Sequence, residues 1–160
     1  MNIDDRMVSD ILERAMVARI ATVSKNGRPH VNPLYFVAQE GHIVLGTATF
    51  TLAAHNVGAN ASVQILFEIE SAADDPRILR MTGTAVVRTD LSLLRMYRRR
   101  VTRKYIATPR GLRNLLMHPH QWRPLRRHVS GGSACVLDVS PTSVELLIRG
   151  VDRPGSGDVG

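Results

Sequence analysis

Short runs of apolar and β-branched residues, separated by tight-turn signals, recur along this chain and limit its fold more than any other feature. "VARIATVS" (17–24) alternates like a half-buried strand, and Asn26-Gly27 follows it, a pair that accepts the positive φ of a hairpin turn. "RPHVNPLYFVA" (28–38) reads as the return strand. Pro29 and Pro33 cannot donate to a ladder, so they predict an edge or a bulge there. "QEG" (39–41) is a second tight turn and "HIVLGTAT" (42–49) a further strand. "SVQILFEIE" (62–70) and "RILRMTGTAVVRT" (77–89) continue the pattern, joined by a loop in which Asp74, Asp75 and Pro76 supply turn chemistry. "SACVLDVS" (133–140), a turn at "PT" and "SVELLIRG" (143–150) read as a final pair. Strands so short and so closely linked predict a mostly antiparallel sheet closed on itself, which leaves few exposed edges.

Three stretches break the pattern. "DDRMVSDILERAM" (4–16) carries Met7, Ile11, Leu12 and Ala15 at helical spacing, with Asp4 or Asp5 placed to cap it. Residues 51–59 predict a short helix. Residues 91–106 predict an amphipathic one, with Leu91, Leu94, Tyr97, Val101 and Tyr105 in one stripe. Thr108 and Pro109 are placed to start another. At 160 residues a single domain over 1–150 is expected, with 91–130 as a helical insert and 151–160 as a disordered tail.

Charge is concentrated. Residues 91–137 hold 11 of the 21 Lys and Arg and no acidic residue, which leaves 10 basic against 14 acidic residues elsewhere. Such a segment suits an anionic partner, or a solvated helix face docked on acidic surface. Aromatic residues are thin there (Tyr97, Tyr105 and Trp122), which speaks against nucleic acid. No apolar run is long enough for a membrane helix, and the single Cys135 fits a packed thiol in a reducing cytoplasm. His118, His120 and His128 lack the spaced partners of a metal site. No GxGxxG follows a strand, and no nucleophile elbow is visible.

Two places carry candidate chemistry. His30 and Asn32 share one face of their strand and suit a pocket wall; Tyr35 falls on the other face unless a bulge at Pro33 shifts it. Thr47, Thr49 and Thr51 alternate onto one face just before a helix start, an arrangement suited to a phosphate, although Thr51 also fits a plain N-cap.

The run "ARIATVSKNGRPHVNPLYFVAQEGHIVLGTATFTLAAHNVGANASVQILFE" (18–68) resembles the flavin-binding split β-barrel family that includes pyridoxamine 5′-phosphate oxidase. It looks closest to small members that bind FMN or the deazaflavin coenzyme F-420, and "ACVLDVSPTSVELL" resembles the closing strands of the family. The resemblance implies a mainly β, α+β fold: a split antiparallel barrel of six to seven strands with an N-terminal helix, a short helix and the Arg-rich insert. It implies a homodimer with cofactors at the subunit interface. His30, Val31, Asn32, Pro33 and Leu34 would lie along the isoalloxazine ring. Thr47, Ala48, Thr49 and Thr51 would hold the phosphate, with Asn56 in the short helix that follows. Many members place Lys or Arg just after this turn, where this chain has Leu52, Ala53 and Ala54; His55, Arg80 or the partner's Arg-rich helix would then supply the cation.

The implied chemistry is hydride transfer between the cofactor and a small conjugated molecule, with His30 or Tyr97 as candidate proton donors. The alternative is a barrel of the same fold that binds flavin, deazaflavin or haem without turnover. The positive insert suits the polyglutamate tail of coenzyme F-420, through Arg98, Arg99 and Arg100.

Overall fold

The computed structural model describes residues 5–69, 75–106 and 133–149. Asp74, the helix expected from Thr108, His118, His120, Trp122, His128 and the tail 151–160 lie outside them. The chain runs α1 (Arg6–Arg14), β1 (Ala18–Val23), β2 (Pro29–Leu34), β3 (Phe36–Gln39), β4 (His42–Ala48), α2 (Leu52–Ala59), β5 (Ser62–Glu68), β6 (Arg77–Arg88), α3 (Leu91–Val101), a π-helical turn (Thr102–Ile106) and β7 (Ala134–Ile148).

All seven strands join one antiparallel sheet in the order β2-β1-β5-β6-β7-β4-β3. The two ends of that order, β2 and β3, are consecutive in the chain and separated only by Tyr35. The run 29–39 therefore pairs with β1 in its first half and with β4 in its second, and so curls the sheet into a split barrel.

Two expected boundaries moved. The single strand read over 28–38 breaks at Tyr35, whose carbonyl accepts from Gly46 N at 3.1 Å. The pair read over 133–150 is one strand of 15 residues. Its "PT" signal is answered by a β-bulge, for Thr82 pairs with Ser143 and Gly83 with Pro141, which leaves Thr142 over. The hairpins formed with their turn chemistry redistributed. Gly27 alone takes a positive φ (76°) in the loop after β1, whereas Glu40 (49°) and Gly41 (80°) both do after β3.

The inner face carries the core. Ile20, Ile43, Leu45, Ile65, Phe67, Leu79, Met81 and Leu137 are buried there, closed by Val8, Ile11 and Leu12 of α1 and by Ala53, Ala54 and Val57 of α2. Cys135 is buried with them, and burial pushes its thiol up, as a packed thiol requires. A second cluster forms where α3 lies on the outer face, with Tyr97 against Val37, Val44 and Val136 and with Leu94 and Val101 beside it. Leu91, placed in the same stripe by spacing, is exposed instead, at the first residue of the helix. Lys104 crosses from the π-helical turn to donate to Leu12 O at 2.7 Å, which satisfies a carbonyl at the end of α1. Its ammonium lies 3.6 Å from the centroid of the Phe36 ring, and burial pushes it down to about 7 against the opposing pull of Glu13.

α1 is tied to the sheet by ions. Arg77 meets Asp10 at 2.9 Å and Asp75 at 2.6 Å, and Arg14 meets Asp75 at 3.1 Å. The hydrogen bonds from Arg77 hold the Asp75 carboxyl well below the usual carboxylate range. A depressed carboxyl contributes stability that is complete above its unfolded value, about 3.9, and is lost as pH falls through the folded one. The protection of the α1 amides against exchange, relative to the intrinsic rate at each pH, should therefore be unchanged from pH 7 to about 5 and fall below about 4. Asp75→Asn should remove that acid dependence; an unaltered profile in the variant would show that the tether does not hold the helix.

Candidate functional site

The break at Tyr35 makes the site. Beyond it β3 pairs with β4, with Phe36 opposite Leu45. β2 is paired on one side only, with β1, so β2 and the end of β4 form two walls of a wedge. β2 offers a free backbone edge to that wedge, apart from Pro29 and Pro33, which lack an N–H. The edge predicted from these two prolines is thus the edge that faces the split.

His30, Asn32 and Leu34 share the inner face with their β1 partners Thr22, Ile20 and Ala18, and all three are half-buried. Val31 and Pro33 point outward and are exposed. Asn56 is buried and donates from Nδ2 to the buried Thr22 hydroxyl at 3.0 Å, which locks α2 onto β1 beside His30. Asn32 Oδ1 is buried and has no hydrogen-bond partner among the described residues. A buried acceptor left unpaired costs free energy; Gln39 Oε1 and Arg80 Nε are likewise buried without a partner among the described residues, but Asn32 is the one of the three on β2.

The other wall is the threonine turn. Thr51 caps α2: its hydroxyl accepts from Ala54 N at 3.3 Å and donates to Ala48 O at 2.9 Å. Thr47 Oγ1 lies 2.9 Å from Thr51 Oγ1. Thr49 falls past the end of β4, exposed, with its amide on Ser133 O at 2.8 Å. His55 is exposed on α2. Arg80 does not line this wedge in its own chain. It lies on the outer face in the row Pro33–Arg19–Leu66–Arg80, three strands from β2 or about 14 Å. There it is paired with Glu145 on β7.

Sequence reasoning missed what holds the break. Tyr35 O accepts a second hydrogen bond, from Tyr97 OH at 3.1 Å, and Tyr105 OH accepts from Phe36 N at 3.3 Å and donates to Phe36 O at 3.2 Å. Gly46 permits this, since a Cβ there would lie 2.2 Å from Tyr97 OH. Burial pushes the Tyr97 phenol up and its hydroxyl donates to Tyr35 O, so Tyr97 clamps the break. The tyrosines were visible as a helical stripe, but nothing in their spacing names the strand break as their partner. Val31, Tyr35 and Leu52 were named one by one but not as an apolar rim, and Phe50 was missed: the four are among the eight large apolar side chains exposed in the described residues, on β2 and the β4–α2 turn. An apolar rim of that kind suits a flat ring or a second subunit. Among the described residues no cluster of His, Cys, Asp or Glu could hold a metal ion, and no helix is long and apolar enough to cross a membrane.

A model of the pyridoxamine 5′-phosphate oxidase family matches residues 5–129. The chain belongs to that family. Solved structures agree on the fold. A conserved hypothetical protein from Mycobacterium tuberculosis superposes with a TM-score of 0.70 at 16% identity, over 91% of this chain and 84% of that one. An F-420 reductase gives 0.60 at 18% identity, over 86% of this chain and 94% of its own. HutZ, the heme storage protein of Vibrio cholerae, gives 0.59 at 15% identity, over 94% and 96%. No curated protein matches the sequence. Members of the pyridoxamine 5′-phosphate oxidase family generally bind flavins. The wedge of this member carries an unpaired buried acceptor on one wall and an apolar rim.

Proposed function

We propose that this chain is an oxidoreductase that binds FMN or coenzyme F-420 in the wedge between β2 and the β4–α2 turn and works as a homodimer. The observation that carries the reading is the buried, unpartnered Asn32 Oδ1 on the wedge wall, an acceptor suited to a ring N–H. The free edge of β2 would align the ring, with His30, Asn32 and Leu34 on its inner side and Val31 and Pro33 on the outer. Thr47, Ala48, Thr49 and Thr51 would face its ribityl end, with His55 the nearest cationic candidate and Asn56 holding α2 in place. When bound, the ring supplies the hydride chemistry. The chain's own residues orient it and exclude water. A second copy packed on the exposed Val31, Tyr35 and Phe50 would complete the wedge, and Arg80, on the outer face, could reach the cofactor of that copy.

The reaction is tested by loading the protein, reducing the bound cofactor and mixing it with small conjugated acceptors. Reoxidation faster than that of free cofactor supports the reading; equal rates leave a binding protein. Haem binding is the second reading, favoured by the likeness to the heme storage protein and by the half-buried His30. A Soret band at one haem per chain would establish it.

The α3 arginines offer a discriminator between the two coenzymes. Arg95, Arg98 and Arg99 are exposed and meet no carboxylate among the described residues, whereas Arg100 is engaged on Ala38 O at 3.1 Å. Replacing Arg95, Arg98 and Arg99 together by Ala should weaken coenzyme F-420 about tenfold or more, through its polyglutamate tail, and leave FMN unaffected. Equal affinities of wild type and variant for both would remove the tail from the account.

A further inference from the structure

The threonine turn looks built for a phosphate until its hydrogens are placed. With the Thr51 hydroxyl donating to Ala48 O, the 2.9 Å contact between the two hydroxyls has Thr47 donating to Thr51 Oγ1. Both hydroxyl hydrogens are therefore engaged inside the turn. A phosphate monoester near neutral pH carries close to two charges and accepts hydrogen bonds almost exclusively. The donors left to it are the exposed Thr49 hydroxyl and the amides of Phe50, Leu52 and Ala53, all uncharged, since Thr49 N is on Ser133 O, Thr51 N on Ala48 O, Ala54 N on Thr51 Oγ1 and His55 N on Thr51 O. No Lys or Arg lies between 47 and 56, and the turn is flanked by Phe50, 66% exposed, and Leu52, 47% exposed. A helix start at the surface gives an anion less than roughly tenfold in affinity.

We infer that this site holds its ligand by the ring and selects little for a terminal phosphate, so that a phosphate-free isoalloxazine or deazaflavin binds nearly as well as its phosphate ester. This rests on the ring site proposed above. The specificity-determining residues are Phe50 and Leu52, which place apolar side chains where a cation would otherwise discriminate, and Thr47, whose hydroxyl is turned inward.

The experiment measures dissociation constants by fluorescence titration for two pairs: riboflavin with FMN, and the phosphate-free deazaflavin chromophore with its 5′-phosphate. The expected ratio within the pair that binds is below tenfold. A ratio of tenfold or more overturns the inference and leaves the ring site standing. Leu52→Lys and Phe50→Lys are each expected to raise affinity for the phosphate ester relative to its parent compound about tenfold. No gain from either overturns the assignment to this turn. Binding of none of the four compounds removes the ring site itself, and this inference with it.

Discussion

Gly83→Ala is expected to destabilise the barrel by about 3 kcal/mol, near the upper range for overpacking, and to lower Tm by roughly 6–12 °C. Gly83 faces the bulge in β7, and a Cβ built there would lie 2.3 Å from Ser140 O and 2.9 Å from Pro141 Cα. Both are backbone atoms of the longest strand, held in place by β6 pairing along its length. No rotamer change relieves such a contact, so the strands must part where Thr142 Oγ1 also donates to Thr82 O at 3.2 Å. Gly58→Ala is the control. Nothing lies within 4 Å of a Cβ at Gly58, which sits inside α2, so Ala there should stabilise by about 0.5–1 kcal/mol. Thermal melts of the two variants should therefore move in opposite directions. A Gly83→Ala melt within 2 °C of wild type would mean that the bulge relaxes freely.

Asn32→Leu is expected to divide stability from binding. The substitution keeps the side-chain volume and removes a buried acceptor that nothing in the described chain satisfies. Removing such a group should raise stability by about 1 kcal/mol. If the acceptor exists to receive a ring N–H, the same change should weaken the ligand about tenfold or more, since its donor is then buried unpaired. A protein that becomes more stable and binds less well identifies a residue kept for function. A variant more stable than wild type and equal to it in affinity would assign Asn32 no part in recognition.

The strand pattern was legible because alternation and turn residues are local. Seven strands were expected and seven formed, yet two boundaries were exchanged. The break at Tyr35 is imposed by closure of the sheet, through Gly46 N and Tyr97 OH on one carbonyl, and no local signal in "PLYFV" announces it. The signal in "SPTS" was real, since Pro141 cannot continue a ladder, but Gly83 opposite gave it room to become a bulge instead of a turn. For the site, residue types and spacing singled out His30, Asn32 and the threonines, and the fold sets both groups on the walls of one wedge. The hydrogen-bond directions within the threonine turn depend on three-dimensional neighbours and could not be read. Arg80 was chosen for its charge alone, and only the strand register shows that it faces outward, paired with Glu145.

The wedge is proposed to bind the ring of a flavin or deazaflavin. The most direct test is titration of the purified protein with FMN and with coenzyme F-420, following absorbance and fluorescence, with haem titrated in parallel. The account predicts saturable binding of at least one of the two coenzymes at one ring per chain, weakened by Asn32→Leu. Absence of binding by both, or a Soret band as the sole response, would contradict it.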